Sequence, residues 1–116
     1  MANTIAGRIS NYFDLGGGSF TVDGACSSSL LSIVLACDAL VKGDLDLVFT
    51  GGVDVSLDPF EIIGFAKTQA LAKEDMRPYD DRANGMMTGE GCGIFLLMRE
   101  ADTRSRGLTI HALLKG

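Results

Sequence analysis

The stretch VDGACSSSLL, residues 22 to 31, sets one cysteine, Cys26, between a short apolar run and three serines that open a long one. If the first run is a strand and the second a helix, the thiol lies where open α/β sheets place their ligands. The unpaired N–H groups and the macrodipole of a helix start favour negative charge, which populates a thiolate and offers an amide to a developing oxyanion. Cys26 is therefore the candidate nucleophile. The competing reading is a small buried hydrophobe, the commoner fate of a free cysteine. Ser27, Ser28 and Ser29 suit a tight turn and can satisfy first-turn donors.

Other side chains offer less. Cys37 lies eleven residues further along the same apolar run, roughly 16 Å away on a helix at about 1.5 Å per residue. That is beyond the roughly 7 Å limit for a disulfide. Cys37 reads as core, and Cys92, opening a second apolar run, reads as packing. The sole histidine, His111, stands in TIHALLKG with no sign that it faces Cys26. Asp14, Asp23, Asp80 and Asp81 read as turn chemistry rather than acid/base pairs. The stretch GGGS (16 to 19) lacks the lysine and spacing of a phosphate-binding loop.

The elements that position Cys26 follow from periodicity. SFTVD (19 to 23) alternates and predicts a strand. Ser27 to Lys42 is apolar on nearly every face and predicts a buried helix, which Gly43 ends. LDLVFTGGV (45 to 53) predicts a strand buried on both faces, parallel to the first in a βαβ unit. Asp58 as N-cap, Pro59 at the first helical position and Glu61 two residues later predict a helix over DPFEIIGFAKTQAL. Residues 72 to 91 are polar and turn-rich, long for a connection, as lids are. CGIFLLMRE (92 to 100) predicts a buried strand, ADTRSR a short helix ended by Gly107, and TIHALLKG (109 to 116) a closing strand. The class is α/β.

Composition removes several functions. A net charge of −5 with no Lys/Arg cluster argues against nucleic acid as a partner. Three cysteines without a CxxC pair indicate neither a disulfide framework nor a metal site. The stretch LLSIVLACDALV is shorter than the roughly 18 to 20 residues that cross a bilayer. No membrane span is expected, and a cytoplasmic protein with reduced thiols is. At 116 residues and 47% hydrophobic, the chain is one domain at most and rather apolar for its size.

VDGACSSSL resembles the active-site block of β-ketoacyl synthases, the condensing enzymes of polyketide and fatty-acid synthases. The resemblance continues in order through GDLDLVFTGGVDVSLDP, ALAKEDMRPYD and ANGMMTGEGCGIFLLMRE. CSSSL is similar to type I polyketide synthase ketosynthases. GRISNYFDLGGGSFTVDGACSSSLL with DPFEIIGFAKTQAL resembles the iterative branch that makes enediyne polyenes and heterocyst glycolipids.

That resemblance implies a partial thiolase-like fold: the end of the first half of the domain and, with TIHALLKG, the opening strand of the second. Residues 1 to 116 would be one partial ketosynthase domain, incomplete at both ends. Cys26 would take an acyl chain as a thioester from an acyl carrier protein, with its backbone N–H in an oxyanion hole. A malonyl-type extender would then be decarboxylated, and its carbanion would lengthen the chain. The phosphopantetheine arm belongs to the carrier, so no bound cofactor or metal is implied. Homodimers would form through the strand around Ser19 to Asp23.

Departures from the family pattern bear on activity. The family's histidine motifs, HGTGT and NxGH, do not occur in this sequence, and His111 matches neither. The segment alone is therefore expected not to condense. Asn84 stands where the family usually has Asp, and Gly24 where Thr is more frequent. Two rival readings are a non-catalytic dimerisation remnant and an unrelated cysteine hydrolase. Exposed packing faces predict poor solubility.

Overall fold

The structure, a computed structural model, describes residues 1 to 55 and 57 to 115. Ser56, within the GDLDLVFTGGVDVSLDP block, and Gly116, at the end of the expected closing strand, lie outside the described residues. The chain forms two compact units. The first comprises residues 1 to 52 and those from 94 onward; the second is Val53–Gly93.

In the first unit, α1 (Asn3–Tyr12) leads to an irregular segment and a single 3-10 turn, Ala25–Ser27, which runs into α2 (Ser28–Lys42). Gly43 ends α2 as expected, in the left-handed conformation at φ 79°. Its N–H donates to the Leu40 carbonyl and that of Asp44 to the Ala39 carbonyl, at 3.2 and 3.0 Å. This Schellman closure is one a residue with a Cβ enters at a cost. Strand β1 (Leu47–Asp54) follows, and β2 (Gly91–Met98) is its hydrogen-bonded neighbour in a two-stranded sheet; the last two residues of β1 and the first three of β2 belong to the second unit. Helix α4 (Glu100–Ser105) completes the elements, with Gly107 at φ 66° turning the chain away.

Arg99 ties these pieces together. Its guanidinium donates to the Leu40 and Leu45 carbonyls at 2.8 and 2.7 Å, and to Asp46 and Asp102 at 2.6 Å each. One planar cation thus joins the end of α2, the approach to β1 and the start of α4. Phe13, just past α1, stacks on Phe49 of β1 with centroids 5.3 Å apart.

In the second unit, α3 (Pro59–Lys67) starts where its capping signal places it. Asp58 accepts from the N–H groups of Phe60 and Glu61 at 2.8 and 3.0 Å, and Pro59 needs no donor at the first position. The polar stretch beyond is a closed loop rather than an open tether. A bridge pairs Leu71 with Met86, and Asn84 accepts from the Lys73 N–H at 3.3 Å. Gly85 is at φ 149°, with the Ala72 N only 2.5 Å from where a Cβ would stand, so this crossing requires glycine.

Several expectations are corrected. SFTVD forms no strand: residues 18 to 24 carry no ladder, so the expected βαβ unit lacks its first member. Residues 108 to 115, the expected closing strand, are irregular as well. Alternation creates a strand-shaped surface, but a strand exists only beside a partner. Burial is also smaller than predicted. Among the described residues only Ala36, Leu40 and Thr50 are buried, while Leu30 and Val34 of α2 are 67% and 62% exposed. Ile94, Phe95 and Leu96 leave both faces of β2 open. Finally, Ala25–Lys42 is a continuous run of 18 helical residues, long and apolar enough by length and composition to cross a membrane. The 3-10 turn and the serines supply the length that the apolar stretch lacks. Within this fold the same helix buries Ala36 and Leu40 and hydrogen-bonds to β1 through Ser32.

Candidate active site

Cys26 is the middle residue of the 3-10 turn, exposed, with a free thiol. The residue before it decides how it is presented. Ala25 stands at φ 51°, in the left-handed region, where an L-residue costs about 1 to 2 kcal/mol. Such a conformation turns the chain between the irregular segment and the helix, and Cys26, directly after it, is exposed. Among the described residues the Cys26 N–H makes no hydrogen bond, whereas the N–H groups of Gly24, Ala25 and Ser27 all do. The thiol therefore sits beside an unspent amide at the positive end of α2.

The first turn of α2 is seated on β1. Thr50, 7% exposed, donates its hydroxyl to Ser32 at 3.0 Å. The Ser32 hydroxyl lies 2.7 Å from the Ser29 carbonyl and 3.0 Å from that of Gly51, and its one proton serves either. Beside this pair, Ser29 packs onto Gly52 at a distance that leaves no room for a Cβ. Of the three serines expected to satisfy first-turn donors, Ser27 as N-cap makes no side-chain cap. Ser28 instead serves the turn: it accepts from the Gly24 N–H and donates to the Ala25 carbonyl.

The family model described as "Beta-ketoacyl synthase, N-terminal domain" matches residues 1–103, a stretch that contains this turn, its helix and both strands. The chain belongs to the β-ketoacyl synthase family. One polyunsaturated fatty acid synthase polypeptide of Thraustochytrium sp. is 37% identical over 117 residues, covering 100% of this chain and 4% of its own length. Polyketide synthase GfsA of Streptomyces halstedii is 39% identical over 115 residues, covering 98% and 2%. Among solved structures, an oxazolomycin ketosynthase domain of Streptomyces albus JA3453 superposes with a TM-score of 0.88 at 34% identity, over 94% of this chain and 20% of that one. The ketosynthase from module 6 of the bacillaene synthase of Bacillus subtilis 168 does so with a TM-score of 0.83 at 33% identity, over 87% and 18%. The chain thus spans a few per cent of these curated relatives' length and about a fifth of the solved ketosynthase chains. Its fold is thiolase-like, and it corresponds to part of a ketosynthase domain of the type I polyketide synthase kind.

The other candidate residues of this ketosynthase segment fall elsewhere. Cys37, read as core, is only half-buried in α2, where Ala36 and Leu40 are the buried residues. Cys92, read as packing, is exposed at the start of β2 because neither face of that strand's first residues is covered. His111 is exposed and lines an open hollow with Arg104, Leu108 and Ile110; Cys26 is not part of that lining. Asp23 does turn chemistry, accepting from the Ala25 N–H at 2.9 Å. Asp80 does too: Arg82 donates to its carboxylate through its side chain and its backbone and holds it down to about 2. At Gly24, φ is −133°, and a Cβ would meet the Leu31 side chain at 3.4 Å and the Ser27 backbone carbon and Cβ at 3.9 Å, so this backbone does not itself demand glycine.

Sequence reasoning missed α1 and the left-handed Ala25. In α1, Ile5 and Ile9 carry a helical spacing that could have signalled it. No residue type announces Ala25, since alanine is not a left-handed residue.

Proposed function

We propose that Cys26 is the acyl acceptor of this ketosynthase segment. An acyl thioester, carried on the phosphopantetheine arm of an acyl carrier protein, would be attacked by the Cys26 thiolate. The new S–C bond forms as the carrier's thiolate leaves, so a thioester is exchanged for a thioester. The Cys26 N–H is the donor best placed for the tetrahedral oxyanion, because it alone in the turn has no internal partner. In an intact domain a malonyl-type extender would lose CO2, and its carbanion would displace the Cys26 thiolate to extend the chain. The observation that carries the reading is the exposed thiol in the 3-10 turn, directly after left-handed Ala25, at the start of α2.

The test is mass spectrometry of the chain after exposure to an acyl thioester, beside Cys26→Ala. A single acyl group on Cys26, absent from the variant, is expected; equal labelling of both removes Cys26 from the mechanism. Elongated product from acyl and malonyl carriers would show that the segment condenses unaided, contrary to this reading. The free thiols such chemistry needs suit a cytoplasmic setting.

A second reading has its own support. Residues 19 to 23 carry no ladder, and Phe20 is 68% exposed. A second copy pairing along this segment would complete a strand, giving a homodimer whether or not the thiol reacts. Sedimentation of the chain beside Phe20→Lys decides it: a dimer lost in the variant supports the interface, and a wild-type monomer rules it out.

A further inference from the structure

Ala25 does not hold its left-handed conformation unaided. The Asp23 Oδ1 accepts its N–H at 2.9 Å. The Ser28 hydroxyl accepts the Gly24 N–H at 3.0 Å and donates to the Ala25 carbonyl at 2.7 Å. The Gly24 carbonyl takes the Ser27 N–H at 3.1 Å. Every backbone polar group of Gly24 and Ala25 is thus tied within six residues, and the next amide, that of Cys26, is the first left over. Two side chains, Asp23 and Ser28, provide three of these ties.

We propose that Asp23 and Ser28 are positioning residues for Cys26, acting through Ala25 and touching no substrate. The proposal rests on the reading of Cys26 as acyl acceptor. Its physical content is that strain stored at Ala25 is balanced by these bonds. Without them the turn relaxes toward negative φ, and the Cys26 thiol and amide no longer face the same acyl carbonyl, the thiol its carbon and the amide its oxygen. A glycine at position 25 visits positive φ freely and so has less need of the ties.

The experiment measures the rate of Cys26 acylation from an acyl thioester by peptide mass spectrometry, with circular dichroism to confirm folding. Exposed Cys92, in the other unit, serves as the internal reference for the reagent. Asp23→Ala and Ser28→Ala are expected to slow Cys26 roughly tenfold relative to Cys92. Asp23→Asn, which keeps an oxygen acceptor, stays near the wild-type rate. Adding Ala25→Gly to either alanine variant restores most of the loss, which general destabilisation does not predict. Wild-type rates in the alanine variants, or failure of Ala25→Gly to restore them in folded chains, overturns the proposal. If wild-type Cys26 takes no acyl group, it is the acyl-acceptor reading that falls. The Ala25 amide-to-alpha-proton coupling then decides the positioning: a change in Asp23→Ala and Ser28→Ala supports it, and an unchanged coupling ends it.

Discussion

Gly52 of β1 and Ser29 of α2 approach so closely that a Cβ on Gly52 would stand 2.9 Å from the Ser29 Cβ. Neither atom lies at the end of a flexible side chain, so one backbone must move. Gly52→Ala is expected to cost about 1 to 3 kcal/mol, as overpacking does. Thermal unfolding checks it, with Gly24→Ala as the contrast: there a Cβ finds the Leu31 methyl at 3.4 Å and two Ser27 atoms at 3.9 Å, ordinary contacts, and the change should be small.

Asp58 holds the first turn of α3 with two hydrogen bonds from one carboxylate oxygen. Asp58→Ala is expected to cost about 1 kcal/mol, and Asp58→Asn much less, because the amide keeps an acceptor. Urea unfolding of the two variants beside the wild type measures the difference.

Asp80 is held down to about 2, first by the Arg82 side chain and then by the Arg82 backbone N–H. The folded carboxyl therefore ionises below its unfolded value of roughly 3.9. Its contribution to stability is present above about pH 4 and is lost as pH falls through about 2. An NMR titration of the Asp80 carboxyl carbon should show the low midpoint, and Arg82→Ala should return it toward the ordinary range. A midpoint indifferent to Arg82 would refute the pairing.

Arg99 serves two carbonyls and two carboxylates from one planar fork. Lysine has the charge without the fork, so Arg99→Lys should lower the melting temperature nearly as much as Arg99→Met. Lys42→Met, which removes only the exposed helical pair with Asp38, should have a much smaller effect.

What was legible in the sequence is what is local. Asp58 with Pro59 names a helix start, Gly43 a helix end, and the Ser27 to Lys42 run a helix, because each signal and its partner lie within a few residues. The place of Cys26 at a bend before that helix was legible for the same reason. Strand pairing was not. Phe20 and Val22 alternate as strand residues do, yet pairing is settled by whichever chain lies alongside, and no pattern within five residues states that. Ala25 was illegible in a different way: its φ follows from bonds that Asp23 and Ser28 make to its neighbours, not from its own side chain. Arg99 looked like the end of a strand motif, and only the folded chain brings Leu40 and Asp46 to it.

The unpaired N–H of Cys26 carries a last consequence, for isotope exchange. In heavy water a bare amide on a surface bend swaps its proton almost as quickly as a loose peptide does, while those deeper in the coil after it keep theirs far longer. That position is then a built-in occupancy gauge, slow only while some oxygen is resting on it.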